Sequence, residues 1–180
     1  MKIVSILEDQ NREKRISITP EIAKKYTTLG FEVCLSKNYG LHLGFKDSAY
    51  GINGVKISSN EEQILSEADI VIQLELPSED KLSKLKENQI LVGVLDSFNN
   101  KNKIDKLIKK KINCFSLEQL PRITRAQSMD ILSSQANLAG YKAVVESFAN
   151  FEKAIPMMMT AAGTIPAAKV LVVGEGVAGL

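Results

Sequence analysis

Short apolar runs rich in β-branched residues alternate with helix-like segments from the start of the chain to residue 116. Each run is short enough for a buried strand, and turn-forming or polar residues separate it from the next segment. Strands that alternate with helices in this way are typical of βαβ crossovers, which build a mainly parallel sheet with helices on both faces. The sequence therefore predicts an α/β fold of flavodoxin or Rossmann type. The predicted strands cover residues 2–7, 31–35, 54–58, 69–76, 89–95 and 112–116.

The helix predicted over residues 18–30 has the clearest boundary signals. Thr19 is suited to the N-cap, Pro20 to the first helical position and Gly30 to the C-terminal stop. Other helices are predicted over 60–67, 78–86 and 101–111.

The segment 101–111 is amphipathic, with Ile104, Leu107 and Ile108 predicted on its apolar face. The lysines at 109–111 are suited to its C-terminal turn, where cations interact favourably with the helix dipole. This basic run is therefore interpreted as part of a solvated helix face.

The charge balance and the rare residue types exclude several kinds of partner. With 23 Lys and Arg against 21 Asp and Glu, the net charge is only +2, which argues against nucleic acid or an acidic membrane as partner. Cys34 and Cys114 lie outside any CxxC motif and are predicted to be buried free thiols. The single histidine, His42, lies in a glycine-rich segment, and we predict no metal site.

The chain shows neither a signal peptide nor a membrane span. The longest uncharged stretch, 154–168, is too short to cross a bilayer and contains two prolines and a glycine. We therefore expect the chain to be cytoplasmic.

The pattern changes after residue 125. Apolar and small residues at helical spacing predict one long helix from 126 to about 155, which would bridge two domains. A stretch containing Pro156, Gly163 and Pro166 then reads as a linker. The predicted organisation is an N-terminal domain over 1–125, a bridging helix and linker over 126–168, and the start of a second domain over 169–180.

The segment 169–180 combines a predicted strand with a GxGxxG motif formed by Gly174, Gly176 and Gly179. In this context the first glycine allows a tight turn, the second lets the backbone approach a pyrophosphate, and the third lets a helix pack close to the strand. The motif predicts the start of a Rossmann dinucleotide-binding domain, with Val177 and Ala178 also at the cofactor. The bland alternative is a glycine-rich turn without a ligand. The acidic residue expected about 20 positions later would lie beyond residue 180, so we expect only a portion of this site in the chain.

The segment PRITRAQSMD, 121–130, concentrates polar side chains at the start of the predicted long helix. Because it follows a predicted strand, we expect it at the carboxyl edge of the sheet, where ligands bind. Three-residue spacing predicts that Gln127, Asp130 and Ser133 share one helical face, where they could fix a carboxamide group. Arg122 could reach phosphate or ribose oxygens, or pair with Asp130. The alternative is a helix-capping arrangement without a ligand.

These segments carry a resemblance that covers essentially the whole chain. PRITRAQSMDILSSQANLAGYKAVVE and PMMMTAAGTIPAAKVLVVGEGVAGL resemble the NAD(H)-binding alpha subunits of proton-translocating NAD(P) transhydrogenases, a family that also includes alanine dehydrogenase. NREKRISITPE and YGLHLGFKDSAYGING resemble both branches. The resemblance implies hydride transfer between NADH and NADP+, coupled to proton translocation by partner subunits. The implied nicotinamide-orienting residues are Arg122, Gln127, Asp130 and Ser133, with Ile123 and Thr124 among the NAD(H) contacts.

Three positions distinguish the two branches of the family. The resemblance places Glu75, in QLELP, and Asp96, in VLDS, where the substrate site of alanine dehydrogenase has a lysine and a histidine. Neither carboxylate can hold a pyruvate carboxylate and protonate its carbonyl as that pair does. Arg15, in KRISITP, matches an arginine that both branches share, and we expect it to form a structural salt bridge here.

The resemblance also implies partners. They are the membrane subunit and an NADP(H)-binding subunit or domain, together with a second copy of this subunit in a homodimer. The chain would then lie at the inner membrane only through its partners. Two other hypotheses remain open: an amino-acid dehydrogenase of the alanine dehydrogenase type, or a non-catalytic fragment. We expect the 180-residue chain to be inactive by itself.

Overall fold

The computed structural model describes residues 1–179. The chain divides into two compact units, Met1–Leu120 and a second unit that begins at Pro121. Within residues 1–179, no helix is both long and apolar enough to cross a membrane.

The first unit is built on a parallel sheet with six strands: β1 (Lys2–Ser5), β2 (Glu32–Ser36), β3 (Lys56–Ser58), β4 (Ile70–Ile72), β5 (Ile90–Gly93) and β6 (Asn113–Ser116). Every strand falls on one of the predicted runs, and every neighbouring pair is parallel. The order β3-β2-β1-β4-β5-β6 is that of a doubly wound Rossmann sheet. The predicted fold class is confirmed.

The helices of the first unit are α1 (Pro20–Thr28), α2 (Asp47–Gly51), α3 (Glu61–Glu67), α4 (Glu79–Ser83) and α5 (Lys101–Lys109). The sequence did not predict α2 or the 3-10 turn Leu41–Leu43 that precedes it. Both are too short to show a helical repeat, and glycines interrupt the pattern around them. His42 lies in this turn, where its ring nitrogens bond Gln10 and the Lys14 carbonyl.

The boundaries of α1 confirm the predicted signals. The Thr19 hydroxyl accepts a hydrogen bond from the Ile22 amide at 3.3 Å, and Pro20 is the first helical residue. The chain leaves the helix through Gly30, whose φ of +87° favours glycine.

Buried side chains fill both faces of the sheet. Successive residues of a strand point to opposite faces, so Ile3 belongs to one apolar cluster and Val4 to the other. Leu91 and Leu107 pack with Val4, whereas Tyr39 packs with Ile3. The sheet is therefore covered on both sides, which explains why its strands read as nearly continuous apolar runs.

At the β6 edge two predictions were only partly right. Leu107 of α5 is buried and Ile104 packs partly against the core, but Ile108 is 62% exposed. Cys34 is buried as predicted, whereas Cys114 on β6 is only half-buried. Because β6 is the last strand of the sheet and α5 packs against it, side chains there find partners on fewer sides.

The second unit contains α6 (Ile131–Asn150) and an antiparallel hairpin formed by β7 (Met158–Thr160) and β8 (Gly163–Ile165). The long helix therefore ends before the predicted limit near 155, and the segment predicted as a linker carries a hairpin. The Thr160 hydroxyl donates to the Gly163 carbonyl at 2.9 Å, and Gly163 has a φ of +128°. The sequence pattern did not indicate these turn features.

The strand predicted before the GxGxxG motif is absent from the described residues. Residues 170–173 form no strand, and Leu171 and Val173 are 86% and 92% exposed. A strand requires a hydrogen-bonded neighbour, and no segment of residues 1–179 pairs with this one. Its apolar composition predicted the potential to form a strand rather than a strand in this chain.

Candidate functional site

The polar segment after Pro121 is a short 3-10 helix followed by a break. Residues Thr124–Met129 form the 3-10 helix, and Asp130 follows in an extended conformation with φ −74° and ψ 90°. Only then does α6 begin. The prediction that Gln127, Asp130 and Ser133 share one helical face was therefore wrong, because Asp130 separates two helices instead of continuing one.

Asp130 is the N-cap of α6. One carboxylate oxygen accepts from the Ser133 amide at 3.0 Å, and the other accepts from the Ser133 hydroxyl at 2.7 Å. These two bonds, the hydroxyl bond first, hold the pKa of Asp130 below its ordinary value, and the charge of Arg122 adds to the effect. The capping alternative thus describes the contacts that Asp130 and Ser133 make here.

Arg122 and Gln127 have the opposite character. Both side chains are exposed, and neither forms a hydrogen bond or an ion pair with any residue in the range 1–179. Ile123 and Thr124 are exposed as well, whereas Ala126 is buried. The segment therefore presents a guanidinium and a carboxamide to solvent, beside a carboxylate whose two oxygens can each accept a further bond.

The glycine-rich segment forms a tight turn. Gly174 has a φ of +99°, a conformation that L side chains rarely adopt. A Cβ at Gly179 would collide with the Gly174 carbonyl, so the first and third glycines are required by the turn itself. The Gly179 amide donates to the Gly176 carbonyl at 2.9 Å, as at the start of a helix.

The second glycine faces open space. A Cβ placed on Gly176 would meet no atom within 4 Å, and the neighbouring Val177 side chain is 48% exposed. The backbone of the turn is therefore accessible from that side, and a phosphate could approach its amides. Ala178 instead packs its backbone against Gly140 of α6.

The first unit has a crevice where its strand order reverses. The segments after β1 and β4 line a cavity of about 480 Å³, with Glu8, Arg12, Gln73 and Glu75 among its residues. Ligands of doubly wound sheets bind at such switch points. Burial raises the pKa of Glu8, although its carboxylate accepts from the Leu74 amide at 2.6 Å.

A smaller cavity of about 170 Å³ brings together Arg15, Glu75 and Asp96, the three positions that distinguish the two branches. Two ion pairs neutralise charges in its wall. Arg15 contacts Glu13 at 2.6 Å, and Arg12 contacts Glu75 at 3.5 Å. The Arg15 guanidinium lowers the pKa of Glu13. The predicted salt bridge of Arg15 is confirmed.

Sequence reasoning missed a buried polar cluster at the same edge of the sheet. The Tyr39 hydroxyl lies 2.8 Å from the hydroxyls of both Ser5 and Ser17. Gln73 receives a bond from Ser5 at 2.9 Å and exchanges two bonds with the backbone of Ile6. The one available signal was a glutamine within the apolar run DIVIQLEL.

Comparison with known proteins identifies the family. The model "Alanine dehydrogenase/PNT, N-terminal domain" matches residues 6–139, and the model for the C-terminal domain matches residues 143–180. The chain belongs to the alanine dehydrogenase/PNT family. The resemblance noted in the sequence is confirmed, and it extends over both domain models.

Individual members of the alanine dehydrogenase/PNT family differ in their similarity to this chain. An NAD(P) transhydrogenase subunit alpha of Rickettsia prowazekii (strain Madrid E) is 47% identical over 184 residues, which cover 100% of this chain and 48% of that protein. The solved transhydrogenase of Sinorhizobium meliloti matches with a TM-score of 0.90 and 39% identity, covering 98% of this chain and 53% of its own. Alanine dehydrogenase 1 of Staphylococcus aureus (strain Mu50) is 29% identical over 145 residues, 81% of this chain and 38% of that protein.

Two conclusions follow within the alanine dehydrogenase/PNT family. The chain is more similar to the transhydrogenase branch, and alanine dehydrogenase is the more distant relative. The chain also spans about half the length of the relatives that it matches.

Proposed function

We propose that this chain supplies the NAD(H)-binding component of a proton-translocating NAD(P) transhydrogenase. The observation that carries the proposal is the glycine-rich turn, in which Gly174 has a positive φ, Gly179 approaches Gly174 closely and Gly176 faces open space. A turn of this form, with free amides at a helix start, is suited to the pyrophosphate of a dinucleotide. The names of the more similar relatives favour the transhydrogenase over other dinucleotide enzymes.

The side chains of the polar segment suit the nicotinamide end of the cofactor. Arg122 and Gln127 are exposed and make no hydrogen bond within residues 1–179, so they are available as donors and as an acceptor. Asp130 and Ser133, held by the cap, form a fixed polar group beside them. Ile123 and Thr124 complete the proposed contact surface.

None of these residues needs to act as an acid or a base. When bound, NADH supplies the hydride, and NADP+ accepts it. The proposed work of the chain is to hold the nicotinamide at a fixed distance and angle, which is where a protein contributes most to such a reaction.

The proposed partners follow from this function. An NADP(H)-binding subunit or domain would hold the acceptor, and a membrane subunit would couple the reaction to proton movement. The chain would then be cytoplasmic and would reach the inner membrane only through them. A homodimer is also proposed, because exposed apolar side chains of α6, among them Tyr141, Val144 and Phe148, offer a surface for a second copy.

The test measures NADH binding and hydride transfer. The protein at the length that its gene encodes, mixed with its membrane partners, is expected to reduce an NADP+ analogue with NADH. Arg122→Ala and Gln127→Ala should weaken NADH binding. Arg125→Ala is the matched control, because Arg125 is a neighbouring exposed arginine to which no contact is assigned. Failure of the wild-type mixture to transfer hydride contradicts the proposal.

Two further measurements separate the alternatives. Pyruvate- and ammonium-dependent oxidation of NADH would favour the alanine dehydrogenase reaction, which the Arg12–Glu75 ion pair argues against. Calorimetry on the 180-residue chain alone tests the non-catalytic hypothesis. We expect no NADH binding by that chain and binding by a form that spans the full length of its relatives.

A further inference from the structure

Gly140 lies in the middle of α6, where glycine is an unfavourable choice. A glycine in a helix interior is less stable than an alanine, because it loses more conformational freedom on folding. Alanines occupy the neighbouring positions 136, 139 and 143. The glycine therefore needs a reason outside the helix.

The structure supplies that reason. A Cβ on Gly140 would collide with the Ala178 carbonyl oxygen, and it would lie 2.9 Å from the carbonyl carbon and 3.1 Å from the Cα. All three are backbone atoms, so no side-chain rotation can relieve the contact. Only glycine at position 140 permits the observed approach.

Ala178 belongs to the glycine-rich turn, so Gly140 is a glycine of that turn in space though not in sequence. Gly174 and Gly179 shape the turn from within, through a positive φ and a close internal contact. Gly140 instead determines where the turn lies on α6. The GxGxxG motif alone does not contain this requirement.

We propose that Gly140 is a positioning residue for the dinucleotide, which seats the phosphate-binding turn on α6. The helix begins at the Asp130 cap, ten residues earlier, a length of about 15 Å at roughly 1.5 Å per residue. One rigid helix thus carries the proposed nicotinamide contacts at its start and the phosphate-binding turn at its middle. This inference rests on the proposed function, because it requires NAD(H) at the turn.

The consequence of a side chain at position 140 is specific. The turn would have to move away from α6, and its amides would lose their alignment with the phosphates. The Asp130–Ser133 cap lies about three turns away and would be unaffected. The defect should therefore appear in cofactor binding rather than in the N-terminal end of α6.

The experiment measures NADH affinity and thermal midpoint for wild type, Gly140→Ala and Asn137→Ala, using the protein at the length that its gene encodes. Asn137 is exposed on the same helix and is the matched control, since both substitutions raise helix propensity. We expect Gly140→Ala to bind NADH roughly tenfold more weakly and to melt lower. Asn137→Ala should bind as wild type does. A Gly140→Ala variant that binds normally and melts higher overturns the inference.

A second measurement does not depend on the variant folding. In wild type, NADH should slow hydrogen exchange at the turn 174–179 and also in the middle of α6 around Gly140, because the two are in direct contact. Protection of the turn without protection of that stretch of α6 would overturn the inference. Wild type that fails to bind NADH at all would instead remove the proposed function itself, and the positioning role with it.

Discussion

The two units of the chain treat their apolar residues in opposite ways. In the first unit, Val4, Leu91 and Leu107 are almost completely buried between the sheet and its helices. In the second, α6 exposes Leu138 and Phe148, and the segment after it exposes Leu171. Most of the exposed large apolar side chains within residues 1–179 lie after Leu120, although the second unit is the shorter one.

The difference shows where stability and function reside. The first unit satisfies its own groups, including the buried hydroxyls of Ser5 and Tyr39. The second unit keeps unpaired donors at Arg122 and Gln127, an open face at Gly176 and a long apolar helix. Such features are costly in a finished domain and useful in one that binds a cofactor and other protein surfaces.

The largest expected effect compares one substitution in the two units. Leu91→Ala removes a fully buried side chain of β5 and should lower the free energy of unfolding by about 2–5 kcal/mol. Leu138→Ala on α6, where the side chain is 59% exposed, should change it by less than about 0.5 kcal/mol. Urea denaturation at low protein concentration measures both.

The same pair of variants can break the comparison. If Leu138→Ala costs as much as Leu91→Ala, then α6 is covered in solution. A cost for Leu138→Ala that grows with protein concentration would identify a second copy of the chain as the cover.

Much of the first unit was predictable because its signals are local. The apolar runs indicated every strand, and Thr19, Pro20 and Gly30 indicated the ends of α1. Contacts that join distant residues were not predictable. Nothing in the pattern indicates that Gln73 receives a bond from Ser5, or that β6 leaves Cys114 half-exposed at the sheet edge.

The candidate site divides in the same way. The GxGxxG motif predicted the positive φ of Gly174 and the tight turn, since both follow from residue type. The predicted strand before it failed, because pairing depends on a neighbour that sequence periodicity does not reveal. The helical face of Gln127, Asp130 and Ser133 failed because the capping preference of Asp130 outweighed the continuation of the helix.

A smaller effect contrasts two tyrosine hydroxyls. Tyr39→Phe removes the buried hydroxyl that bonds Ser5 and Ser17, and it should cost about 1–3 kcal/mol of unfolding free energy. Tyr141→Phe on α6 is the matched control, because its hydroxyl has no hydrogen-bond partner within residues 1–179 and its side chain is exposed. Thermal or urea unfolding measures both. Equal costs would mean that the Tyr39 cluster contributes nothing beyond its apolar packing.

The smallest effect is a difference in the sign of pH dependence between two carboxylates. Burial raises the pKa of Glu8 in the first unit, whereas hydrogen bonds from Ser133 lower the pKa of Asp130 in the second. The raised pKa means that ionised Glu8 destabilises the fold, so Glu8→Gln should be more stable than wild type at pH 7. That gain should vanish below the ordinary glutamate value of 4.5, where both states of wild type are protonated.

Asp130→Asn should behave in the opposite way. The lowered pKa means that ionised Asp130 stabilises the cap above its ordinary value of 3.8, and this contribution is lost as the pH falls through the lower folded-state pKa. The Asn variant should therefore melt below wild type at pH 7 and approach it in acid. Thermal midpoints of the three proteins between pH 3 and 7 measure both slopes. Slopes of the same sign would show that the two units do not differ in how they treat an acidic side chain.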